Sequence, residues 1–185
     1  MKNALPTLIL MIICILFNLK NKPSRAEQPQ VVRTHGNVAL VANAASTQAQ
    51  INILAQATKK MNSVIQSECF YNFMANKDMI ETNEKSSASV ARHIQSLTNT
   101  LSVNFYYEWH DDGTLNQVAY RQPPSTDINI NTAYYGNNVD VCELAGTLGH
   151  EISHAIGGYD HLSDRSQYKD TIPYSINQAF KKCCI

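Results

Sequence analysis

From Val141 to His161 the chain reads Val-Cys-Glu-Leu-Ala-Gly-Thr-Leu-Gly-His-Glu-Ile-Ser-His-Ala-Ile-Gly-Gly-Tyr-Asp-His, and this stretch decides how the rest is read. Leu144, Ala145, Leu148, Ile152, Ala155 and Ile156 recur at helical spacing and give one apolar surface to bury. The periodicity predicts a helix from about Val139 to Ile156. Gly157-Gly158 closes it, since glycine readily takes the left-handed conformation of a C-cap. His150 and His154 stand four residues apart, a rotation of about 400°, so both imidazoles emerge on one face. Glu151 is turned about 100° from His150. Gly146 and Gly149 each cost roughly 1 kcal/mol against alanine inside a helix, and suit a close backbone approach.

Two imidazoles so placed can hold one zinc ion at about 2.0–2.1 Å per bond. Glu151 need not ligate; it can take a proton from a water at an open metal position. The order His150-Glu151-x-x-His154 is that of metal-assisted peptide hydrolysis. Chance ordering of this composition produces it roughly 0.7% of the time, so two unrelated helix histidines are a poor account of it.

Past His154, the segment Gly157-Gly158-Tyr159-Asp160-His161 resembles the ending of the metzincin-like zinc metallopeptidases, whose pattern is His-Glu-x-x-His-x-x-Gly-x-x-His. The likeness covers residues 150–161. Counted through Gly157, the position of the third ligand holds Asp160. With Gly158 as the family glycine and one residue inserted, it holds His161. Imidazole suits zinc, which favours His161 and leaves Asp160 to support a ligand from behind; both stay candidates. The resemblance implies an α+β, zincin-like domain, one catalytic Zn2+, Glu151 as general base and a peptide or protein substrate. Metzincins also carry a methionine turn beneath the metal. This chain has no methionine after Met79, and Ile172-Pro173-Tyr174 is the apolar segment available instead. Tyr174 there either donates to an oxyanion or only packs; Arg165 and Tyr168 are weaker candidates.

The N-terminus sets the compartment. Lys2 precedes a mostly apolar run from Ala4 to Leu19, and Ser24 and Ala26 are small residues placed for a cut before Glu27. This is the form of a secretory signal peptide over residues 1–26. An uncleaved anchor competes, although about 16 apolar residues fall just short of the roughly 17–25 that span a bilayer. The whole chain balances 15 Lys+Arg against 15 Asp+Glu. Cleavage removes Lys2, Lys20, Lys22 and Arg25 and no acidic residue, so the mature chain carries a net charge of −4. Nothing in that balance favours nucleic acid or an anionic membrane surface as a partner, and no stable membrane insertion is expected after cleavage. A chain 44% hydrophobic and 16% charged is not a disordered one.

Cys14 leaves with the signal, and Cys69, Cys142, Cys183 and Cys184 remain. An even count in an exported chain suggests two disulfides. Adjacent cysteines rarely bridge each other, so one of Cys183 and Cys184 reaches back to Cys69 and the other to Cys142.

Residues 27–45 read as a polar, alanine-rich leader or propeptide-like arm without a period, and 46–185 as the domain, an ordinary length for one core. Ile51, Leu54, Met61, Val64 and Ile65 make a helical stripe; Glu68–Ala75 is a second short helix; Ser86 or Ser87 can cap a third, through Thr98. Leu101, Val103, Phe105 and Tyr107 then alternate with polar residues as a strand. Asp111-Asp112-Gly113 is turn chemistry, so Leu115–Arg121 is expected to return as the second strand of a hairpin. Residues 127–132 make a third strand. Trp109, His110 and the tyrosines nearby either line a cleft or, as an aromatic strand ordinarily does, just pack; His35 and His110 read as surface residues and lone His93 as a surface or core one. The sum is α+β: helices, a small sheet, then the histidine-bearing helix. Two other functions fit the same residues, a secreted zinc-binding or surface-interaction domain that cleaves nothing, and an amidohydrolase acting on cell-wall peptides.

Overall fold

Ile128 and Ile130, at most 1% exposed, set the interior of a small mixed sheet. The computed structural model describes residues 31–32, 38–79, 86–108, 118–121, 124–135, 139–161 and 165–185. Its strands are β1 (Val31–Val32), β2 (Ala39–Ala42), β3 (Thr100–Tyr106), β4 (Ala119–Arg121) and β5 (Ile128–Asn131), in the order β1-β2-β3-β5-β4. β2, β3 and β5 run parallel, while β1 and β4 lie antiparallel at the two edges. The signal segment, the Asp111-Asp112-Gly113 turn, His35, Trp109 and His110 lie outside the described residues.

β4 does not pair with β3 as a hairpin, because β5 lies between them and pairs with both. The reason is burial: β5 carries two fully buried isoleucines and takes an interior place, whereas β4 is half-buried throughout and stays at the edge. The segment 27–45 is also not wholly an arm. Val38, Leu40 and Ala42 are buried, and β2 joins β3 with Leu40 opposite Leu101 and Ala42 opposite Val103. The alternation is real, but Ala39 and Val41 are apolar too and hide it from a polarity count. Buried Asn62 ties this strand to the first helix, accepting from Val38 N at 3.3 Å and donating to Val38 O at 2.8 Å.

The helices are α1 (Gln48–Ile65), α2 (Glu68–Ala75), α3 (Ser87–Ser96), the single turn α4 (Thr132–Tyr135), α5 (Val141–Ala155) and α6 (Ile172–Cys183). Thr47 and Gln50 form a capping box at the start of α1, and Ser67 and Ser86 cap α2 and α3. Leu54, Met61, Val64 and Ile65 of the α1 stripe are buried, with Ile51 at its margin. α5 packs against both α1 and α6. Its glycines face α6: a Cβ on Gly146 would stand 3.1 Å from Phe180 Cβ, and one on Gly149 would stand 3.1 Å from Phe180 Cε2. Two disulfides fix the far end of α6, Cys69–Cys183 to α2 and Cys142–Cys184 to the start of α5. Bridges of this kind typically contribute about 2–4 kcal/mol each.

Candidate metal centre

Asp140 starts α5 by accepting from the backbone N–H of Cys142 at 2.7 Å and of Glu143 at 3.3 Å. Leu144, Ala145, Leu148 and Ile152 are at most 1% exposed, and this anchored face sets the rotation of the helix. The opposite consequence falls on His150 and Glu151, which are 8% and 5% exposed and line one open cleft of about 1390 Å³. The helix ends where Gly157 N and Tyr159 N donate to the carbonyls of Ile152 and Ser153. Gly157 sits so close that a Cβ there would lie 2.6 Å from Ser153 O, and Gly158 turns the chain at φ +73°. The doubled glycine thus reverses the backbone, and buried Tyr159 anchors the returning segment edge-on to His93, with ring centroids 5.9 Å apart.

This reversal returns His161 to the two helix histidines. The three Nε2 atoms stand 3.3 Å (His150–His154), 3.2 Å (His150–His161) and 3.1 Å (His154–His161) apart. A suitable tautomer can set an N–H of one ring against a lone pair of another, but no set of tautomers satisfies all three pairs at once, whereas a cation between them does. An ion bound tetrahedrally at about 2.05 Å sets its ligand atoms about 3.3 Å apart, so the three residues fit a metal. His154 Nδ1 lies 2.5 Å from the Tyr159 carbonyl, which can only accept. Its proton is therefore on Nδ1, and Nε2 offers a lone pair. Of the two candidate third ligands, His161 joins the cluster. Asp160 does not: its exposed carboxylate is 3.6 Å from His154 Nδ1, behind that ring.

Burial suppresses charge on all three. It holds His150 down to about 3, helped by His154 and His161, and holds His161 down to about 4; His154 is lowered as well, again chiefly by burial. Neutral imidazole is the metal-binding form. Glu151 moves the other way, pushed up to about 7 by burial, with Arg121 opposing the rise. A carboxyl group near neutrality can both take and return a proton.

Arg121, at the end of β4, donates through Nη1 to the His154 carbonyl at 2.6 Å and so ties the edge strand to the end of α5. Tyr174 stands edge-on to His150 at a 5.2 Å ring separation and tilted against His161 at 5.0 Å. Tyr168 stacks on His161 at 5.0 Å. The Ile172-Pro173-Tyr174 segment is therefore next to the histidines, as the first turn of α6. Of Arg165 only the backbone is described, within the 3-10 helix Arg165–Asp170.

Arg121 and Asn177, which lies 3.0 Å from His150, had no signal in the sequence, because both arrive from elements distant in the chain. No family model, curated protein or solved structure matches the chain.

Proposed function

We propose that the chain is an exported zinc-dependent metallopeptidase with a zincin-like catalytic centre. The observation that carries this reading is the cluster of His150, His154 and His161 Nε2 atoms, 3.1–3.3 Å apart, opening into the same cleft as a buried glutamate. These three residues would hold the ion, and imidazole ligands with an open position suit zinc. Bound there, zinc supplies Lewis-acid activation of water and of the scissile carbonyl. Glu151 takes a proton from the attacking water and delivers it to the leaving amine; its raised pKa suits both transfers. Tyr174, beside His150 and His161, is placed to donate to the developing oxyanion.

The substrate reading rests on β4. Val118–Arg121 line the cleft, and among the described residues β4 is an edge strand of the sheet, the position at which an extended peptide can add as a further strand. The two disulfides accord with an extracellular or periplasmic enzyme.

The test is Glu151→Gln on a peptide library. Zinc content should stay at the wild-type level while turnover falls by about 10²–10⁴. Equal turnover by the two proteins would end the catalytic reading, and no turnover by either would leave a metal-binding domain.

A further inference from the structure

His150 is held from behind by a helix that begins more than twenty residues after it. Asn177 Nδ2 lies 3.0 Å from His150 Nδ1, on the ring edge opposite the Nε2 that faces the other imidazoles. Asn177 follows Tyr174 by one turn of α6, so both project on the same side and reach the same ring. That approach depends on the bare backbone at Gly146 and Gly149. With a methyl group at Gly149, Phe180 and Ile176 would be met at 3.1 and 3.2 Å, closer than carbon atoms settle without moving. The far end of the same helix is fixed by both disulfides. Two glycines and two bridges therefore converge on one result, the delivery of a carboxamide to the rear of a metal-binding histidine.

We propose that Asn177 is a positioning residue of the metal centre, fixing the ring orientation of His150. This rests on the metal-centre reading given above. A lone pair on Nε2 requires the proton on Nδ1, and that proton needs an acceptor. A half-turn of the carboxamide about Cβ–Cγ exchanges Nδ2 for Oδ1. Asn177 can therefore donate to a bare Nδ1 or accept from a protonated one, following the state of the ring. A hydrocarbon of similar size can do neither. A carboxylate can only accept, and holds the proton on Nδ1.

The experiment uses the full mature chain and zinc alone, titrated against a competing chelator, for wild type, Asn177→Leu and Asn177→Asp, with thermal unfolding of each metal-free protein alongside. Asn177→Leu is expected to weaken zinc binding about 10–100-fold, and Asn177→Asp to bind at least as tightly as wild type. The rescue separates hydrogen bonding from packing, since both variants keep the number and branching of the side-chain heavy atoms. Equal loss in Leu and Asp, or wild-type affinity in Leu, overturns the role of Asn177 while leaving the metal centre standing. Should the Leu variant unfold, the Asp variant decides alone: affinity at or above wild type supports the proposal, and weaker binding overturns it. If wild type itself binds no zinc, the metal-centre reading falls first and this proposal with it.

Discussion

Nε2 of His154 stands 3.1 Å from Nε2 of His161, although one lies in the last turn of α5 and the other in the segment returning from it. The turn between them runs through Gly158 at φ +73° and through a Gly157 with no room for a Cβ. The glycine pair is thus what converts a two-histidine helix into a three-histidine centre.

Substituting these glycines should damage the centre before the core. Gly158→Ala places a side chain in the left-handed region, at a cost of about 1–2 kcal/mol. Gly157→Ala must displace the Ser153 carbonyl, 2.6 Å from the new carbon, and should cost more. Both variants should lose zinc affinity, Gly157→Ala the more, as read by chelator competition beside thermal unfolding. Wild-type affinity in Gly157→Ala would separate the turn from the site.

Acid should destabilise the metal-free protein. His150, His154 and His161 have folded pKa values below the ordinary 6.5, so the unfolded chain takes up their protons first. Their stabilising contribution is full above about pH 6.5 and is lost as pH falls toward about 4 and then 3. Glu151 has the opposite sign. Raised to about 7, it stabilises fully below its ordinary 4.5 and loses that contribution as pH rises through 7. Three groups outweigh one, so the thermal midpoint in chelator should drop between pH 6.5 and 4.5. Glu151→Gln should steepen the drop, and a flat profile would contradict the burial of the three rings.

Arg121 should tune the glutamate. Its charge holds Glu151 below the value that burial alone would give, so Arg121→Gln should shift the acid limb of the pH–rate profile upward. Arg121→Lys should shift it less, since the charge remains. An unchanged limb in Arg121→Gln would mean that this limb does not report Glu151.

Removing the bridge nearest the centre should loosen α6. Cys142→Ser with Cys184→Ser should lower stability by about 2–4 kcal/mol, measured by denaturant unfolding under non-reducing conditions. Zinc affinity should fall with it, because Tyr174 and Asn177 ride on α6. Stability lost with affinity retained would show that the α5–α6 packing suffices.

What the sequence made legible follows the range of the interactions. The histidine helix, its glycine stop, the amphipathic stripe of α1 and the extent of α2 depend on neighbours a few residues away and were readable from spacing. The cysteines allowed two pairings, and only the packing of α6 on α2 and α5 assigns Cys183 to Cys69 and Cys184 to Cys142. β2 was hidden by a run of apolar residues without polar alternates. The false hairpin came from placing β4 by its nearness in the chain, when the more buried β5 took the interior position. That His161 and not Asp160 stands beside the two helix histidines depends on the turn made by Gly157 and Gly158, which composition does not carry.

The most direct test is the zinc content of the purified chain 27–185 beside His161→Ala and Asp160→Ala. About one zinc per wild-type chain is expected, with a large loss in His161→Ala and near-complete retention in Asp160→Ala. No zinc in wild type under zinc-replete conditions, or loss in Asp160→Ala with retention in His161→Ala, would contradict the three-histidine centre.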